Sequence, residues 1–158
     1  MLEIEVDLRE LRAAMTRFLS DLSAGSQRAT QQTAEASREH IASGAYWTVR
    51  TGKVGKSKVG KSFVVSQDPE ALGAVLRSGS KVARFLDAGT KPHTITAKRR
   101  DALRFVASGG AVVFRRTVKH PGTKPKQYIA AEAQRAEPAL LVAVERAADA
   151  AVASSGLD

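Results

Sequence analysis

One phrase occurs twice near the centre of this chain, as Asp87-Ala88-Gly89-Thr90-Lys91-Pro92-His93 and as His120-Pro121-Gly122-Thr123-Lys124-Pro125. Glycine admits positive φ, and a lysine before proline is driven towards extended backbone, so each copy is a corner. Each follows an apolar run with strand character, 82–86 and 111–118, and is expected to end a strand. Gly109-Gly110 lies between the copies and reads as a hairpin turn joining strands 102–106 and 112–118. A chain with two such corners and a hairpin in its middle is committed to antiparallel β-structure there.

The flanks read as helices. Ile4, Leu8, Leu11, Met15, Phe18 and Leu22 are spaced 4, 3, 4, 3 and 4, an amphipathic stripe, with Asp7 as N-cap and Glu10 three residues on. Beyond Gly25 the small residues Ala29, Ala34 and Ala36 replace the large ones, up to Ile41 and Gly44. The expectation is one long helix over 7–42, bent or straight at Gly25, its first half anchored on a core. Its Ala-rich second half must project or pack closely on another helix, and 29–36 is expected to meet a neighbouring subunit. From Gln127 a second helical pattern runs through Tyr128, Ile129, Ala133, Leu140, Leu141, Val144 and Ala148 to about 153. Pro138 should kink or break it, since proline removes a backbone donor and clashes with the preceding turn. Leu11, Met15, Phe18, Leu22, Leu141, Val144 and Ala148 are expected to cover the sheet. The layout is α+β: a single domain over 1–158, with an antiparallel sheet of about four or five strands across 45–119. The candidates for these strands are 63–65, 74–76, 81–86, 102–106 and 112–118, with 45–49 a further short one.

Composition narrows the function classes. Aromatic residues make up 5% of a chain that is 43% hydrophobic, so the core should be thin and the subunit dependent on neighbours. Without cysteine there is neither a disulfide framework nor a cysteine-based metal site. The first residues carry no secretory signal pattern and no apolar stretch reaches the length of a membrane span, which points to a soluble protein. The charge of +9 is unevenly placed: residues 1–45 carry −2, 46–127 carry +14 and 128–158 carry −3. A basic middle steers towards polyanions such as DNA, meets acidic faces of sister subunits, or is a solvated surface.

Lys53-Val54-Gly55-Lys56-Ser57 is repeated at once as Lys58-Val59-Gly60-Lys61-Ser62. The doubling creates the phosphate-loop pattern G-x-x-x-x-G-K-S, in which Lys61 and Ser62 would hold phosphate and Mg²⁺. That chemistry needs a helix straight after the loop, whereas Phe63-Val64-Val65 is strand-like, so the segment reads as a basic loop. Lys53, Lys56, Lys58 and Lys61 are its candidate contacts to DNA or to a partner. His40, His93 and His120 could in principle serve as acid and base, or hold zinc. His93 and His120, however, flank proline corners where imidazole commonly binds backbone, and His40 is on a distant helix. No catalytic constellation, metal site or cofactor is expected.

The order of these features resembles a known family. A strand ending in D-A-G-T-K-P-H, a basic stretch with Leu103 and Phe105, a strand ending in H-P-G-T-K-P and a helix led by Tyr128 are similar to the HK97 gp10-like phage tail-component family, the tail-completion or neck proteins of long-tailed phages. The likeness covers about 82–133 and is carried by Phe85, Asp87, Gly89, Thr90, Pro92, His93, Leu103, Phe105, His120, Pro121, Gly122, Thr123, Pro125, Tyr128 and Ala133. Asp87 stands where the family often has Glu, and Tyr128 where it has Phe. The resemblance implies a non-enzymatic virion structural protein, present in host cytoplasm during assembly. It would form a homo-oligomeric, typically hexameric, ring around the DNA channel, between connector or stopper proteins and terminator or tube proteins. The rival class is a basic nucleic-acid-binding module, weakened by the absence of aromatics from the basic loop. A small hydrolase or nuclease ranks third.

Overall fold

The computed structural model describes residues 8–46, 59–68, 73–98, 101–107 and 109–156. The chain is α+β, and its contacts divide it into two compact units, Met1–Ser80 with Tyr128–Asp158, and Lys81–Gln127.

The first unit is built on two long helices, α1 (Arg9–Ala42) and α2 (Tyr128–Ser155), with a ribbon of β1 (Phe63–Asp68) and β2 (Gly73–Ser78). The helices run antiparallel: His40 meets Glu132, Gly25 meets Ala147, and Arg17 donates to the Ser155 carbonyl. Small residues make this seam, with Ala14, Gly25, Ala29 and Ser37 buried on α1 and Ala151 and Ser155 on α2. A Cβ placed on Gly25 would lie 2.7 Å from the Ala147 Cβ, so the axes approach as closely as glycine permits. β1 and β2 pair antiparallel from Phe63↔Ser78 to Asp68↔Gly73 and lie against α1.

Two expectations for α1 change. The Ala-rich second half does pack closely on a helix, but Ala29 is buried in the seam with α2 of the same chain, while Ala36 is exposed. The first half is not anchored as its stripe suggested: Leu11 is 51% and Met15 45% exposed, with Leu8 and Leu19 also exposed. The reason is rotational. Ala14 and Gly25 face α2 because close approach favours small residues, which turns Leu11 and Met15 outward, while Phe18 and Leu22 stay half-buried. α1 begins at Arg9 with no side-chain cap on Leu8, while Asp7 lies outside the described residues. Pro138 sits inside α2, which runs unbroken from Tyr128 to Ser155.

The second unit opens with a short helix, α3 (Lys81–Ala88), where the sequence suggested a strand. Strand alternation would group Val82, Arg84 and Leu86, whereas helical spacing puts buried Ala83 and half-buried Leu86 and Asp87 on one side. Four strands follow: β3 (His93–Thr96), β4 (Leu103–Val106), β5 (Val112–Arg115) and β6 (Thr117–His120). β3 pairs with β6 and β4 with β5, so the described strands form three two-stranded ribbons rather than the single sheet of four or five. β3 was not anticipated, and the expected strand 112–118 divides at Arg116. The expected strand 45–49 falls on Ala45 and Tyr46, which are turn, and on residues outside the described set.

The two ribbons of this unit make one interrupted hairpin. Thr96 pairs with Thr117, and the Ala97 N–H reaches the Arg116 carbonyl at 2.9 Å; the next pair is Leu103↔Arg115. Between these two pairs the second arm supplies Arg116 alone, and the ladder is interrupted there. The hairpin closes at Gly110, φ 83°, where the Gly110 N–H donates to Ala107.

Candidate functional sites

The repeated corners come together at the open end of that hairpin. Thr90 and Thr123 exchange both backbone hydrogen bonds, at 3.0 and 3.1 Å, and His93 pairs with His120, each histidine directly adjoining its proline, Pro92 or Pro121, where the ribbon begins. Equal lengths of chain separate the two pairs on each arm, so the two Gly-Thr-Lys-Pro copies lie antiparallel across from one another. Gly89 has φ 74° and Gly122 φ 90°, both left-handed. A Cβ on Gly89 would meet the Thr123 carbonyl oxygen at 2.5 Å, and one on Gly122 would meet that of Thr90. Each glycine thus lets the other copy's threonine carbonyl approach. The corners differ from expectation in one respect: Gly89 ends a helix, α3, while Gly122 follows strand β6. Residues after the second corner cap that helix, the Lys126 N–H donating to Leu86 and Asp87 and the Gln127 N–H to Asp87.

The His93 and His120 rings stack at 5.0 Å between centroids. His93 Nδ1 lies 2.9 Å from the Lys91 carbonyl and therefore carries the proton. His120 Nδ1 accepts the Gly122 N–H at 3.0 Å, which in the neutral ring leaves the proton on Nε2. Each imidazole ties its own corner to the ribbon. Asp87 occupies the last turn of α3, and Pro125 lies against the space beside Gly89. Lys61 is exposed in a short 3₁₀ turn, Gly60–Ser62, and β1 follows it directly. Lys53, Lys56 and Lys58 lie outside the described residues.

A second cluster, in the first unit, was not visible beforehand. Glu132 is 4% exposed, and its carboxylate accepts from the Tyr46 hydroxyl at 2.7 Å, His40 Nδ1 at 2.6 Å and the Arg135 guanidinium through both oxygens. Burial pushes the Glu132 carboxyl up, but hydrogen bonds from Arg135, Tyr46, His40 and Ser37 outweigh it and hold the group at about 2. Burial and the neighbouring carboxylate push the Tyr46 hydroxyl up. Tyr128, fully buried, lies between Tyr46 and Phe63, with ring centroids 5.9 and 6.2 Å away. Beside it opens a cleft of about 310 Å³ lined by Thr30, Ile41, Phe63, Leu76, Leu140 and Glu132. A carboxylate titrating near 2 is a very weak base, so this geometry clamps the ends of α1 and α2 rather than preparing a proton acceptor. Glu132 and Arg135 lie one helical turn apart and are legible as a pair. His40 and Tyr46 join them only through the antiparallel seam.

A third cluster lies on the β4–β5 ribbon. Alternation puts Arg104 and Val106 on one face with their cross-strand partners Phe114 and Val112, and all four are exposed. Leu103, Phe105, Val113 and Arg115 share the other face, where Leu103 and Val113 are half-buried.

Comparison with family models, with curated proteins and with solved structures finds no match to this chain. No helix among the described residues is long and apolar enough to cross a membrane.

Proposed function

We propose that this chain is a structural subunit of a tailed-phage virion. It would assemble into a ring, of about six copies, at the head–tail neck or the tail end of the DNA channel. One observation carries the proposal: the chain leaves outside the surfaces that a self-sufficient domain covers. Leu8, Leu11, Met15 and Leu19 form an exposed ridge at spacings of 3, 4 and 4 along α1, and Leu141, Val142 and Val152 are exposed on α2. Of the seven buried hydrophobic residues among those described, four are alanine. Ridges of this kind on a helix are what neighbouring copies cover in an assembly.

The resemblance at 82–133 supports the phage assignment, and its residues make a structural device: paired corners that lock a hairpin to the helix before it. In the ring, the partners are further copies of the chain, then connector or stopper proteins on one side and terminator or tube proteins on the other. The basic loop, with Lys53, Lys56, Lys58 and Lys61, contributes four positive charges per copy, which a ring repeats around its axis towards DNA or an acidic neighbouring ring.

Electron microscopy of the purified chain tests the reading, the expected result being annular particles with a central opening. Leu11→Ser with Met15→Ser should disperse them while leaving the thermal melt of the subunit in place, because both side chains are already in water in the single chain. Particles unaffected by that change would remove the ridge from the assembly. Changing the four lysines to serine, with ring formation and joining to a neighbouring ring read separately from DNA retention, assigns the loop to one role or the other.

A further inference from the structure

We propose that the outer face of the β4–β5 ribbon, together with the break that follows β5, is a sequence-independent nucleic-acid contact, with Arg104 and Arg116 on phosphates and Phe114 as a platform for an unpaired base. The inference stands on the second unit alone and does not rest on the ring.

Charge selects the class of partner. Residues 81–127 hold 12 Lys and Arg against 2 Asp and Glu, a net +10, while the rest of the chain nets −1. A second copy therefore offers little complementary charge, whereas a polyphosphate offers it at every step. None of Arg104, Arg115, Arg116 and Lys119 forms an ion pair among the described residues, and all four are exposed.

Geometry selects the face. Phe114 is 59% exposed and stands directly across from Arg104, and the exposed Arg116 follows β5 immediately, at the break in the hairpin. An exposed aromatic ring with a guanidinium across the ribbon, and a second arginine just past the end of its strand, offers what single strands use, stacking on a side-chain ring with cations on the flanking phosphates. The basic loop at 53–62 has no aromatic; here strand pairing sets an aromatic beside Arg104 instead. Val106 and Val112 extend the apolar part of the face towards the tip. A hairpin with apolar side chains on both faces is marginal in water by itself, which favours a covered state.

The probes are a labelled 30-base-pair duplex and a labelled 30-nucleotide thymidine oligomer, titrated with the full-length chain by fluorescence anisotropy. Arg104→Ser with Arg116→Ser is compared with Arg84→Ser with Arg115→Ser, which removes the same charge from α3 and from the other ribbon face. Two lost phosphate contacts lower the duplex salt slope by about 1.8. The affinity lost between about 50 and 200 mM salt should then shrink roughly twelve-fold in the first variant and not in the second. Phe114→Ser should weaken the thymidine oligomer about ten-fold or more and leave the duplex unchanged. Arg104→Lys with Arg116→Lys should keep most of the salt slope, and matched circular dichroism melts exclude misfolding. Equal slopes in the two double-serine variants, or a Phe114→Ser change silent on the oligomer, would overturn the proposal. Wild-type DNA binding with lost self-association in the first variant would overturn it too, making the face a contact between copies.

Discussion

Glu132 gives the sharpest test of how the two long helices are held. Its carboxyl sits at about 2 against 4.5 for the ordinary group, so ionisation is more favourable in the folded chain than in the unfolded one. The preference amounts to about 3 kcal/mol; since Arg135 and His40 are partly in water, that figure is a ceiling. The sign follows from the direction: a depressed carboxyl contributes fully above about pH 4.5 and loses its contribution as the pH falls towards 2. Glu132→Gln keeps the volume and removes the charge, leaving Arg135 and His40 facing a neutral amide. Urea unfolding of the two proteins by circular dichroism, at equal concentration from about pH 7 down to pH 2, isolates the effect, because every other titrating group is common to both. The difference should be about 2–3 kcal/mol at neutral pH and close towards zero at the acid end. A difference that stays constant with pH would show that Glu132 is not the charged clamp described here.

Other substitutions probe the remaining joints, each read by chemical or thermal unfolding. Gly89→Val or Gly122→Val should each cost about 1–3 kcal/mol in backbone strain alone. Contact with the opposing threonine carbonyl adds to this, so both should unfold the second unit's hairpin. Gly25→Leu should force α1 and α2 apart and lower stability by about 1–3 kcal/mol. Gly25→Ala should be milder, its gain in helix propensity offsetting the 2.7 Å contact with Ala147. Pro138→Ala should raise stability by up to about 3 kcal/mol, since α2 continues unbroken through the proline.

What the sequence revealed and what it hid follow from which interactions are local. The long helices, the Gly109-Gly110 turn and the corner character of both Gly-Thr-Lys-Pro copies were legible because each depends on neighbours within a few residues. The face of α1 was misread because amphipathicity by itself favours burying Leu11 and Met15, while the seam with α2 selects the small residues Ala14, Gly25 and Ala29. The helix at 81–88 was mistaken for a strand because Val82 to Leu86 is a short, mostly apolar run, too brief for periodicity to separate helix from strand, and its capping by Lys126 and Gln127 comes from 40 residues away. β3 escaped notice because Ile95 is its one large apolar residue and all four positions are exposed. Facing of the two corners, and the meeting of His40, Tyr46 and Glu132, are products of pairing, which no local pattern carries.

The central claim, that this chain is an assembly subunit whose outward ridges are covered by other copies, is most directly tested by its mass in solution. Sedimentation equilibrium over a wide concentration range should give a closed species near 100 kDa, about six times the 16.8 kDa chain, that collapses towards the single-chain mass in Leu11→Ser with Met15→Ser. A wild-type chain that remains at 16.8 kDa at every concentration would contradict it.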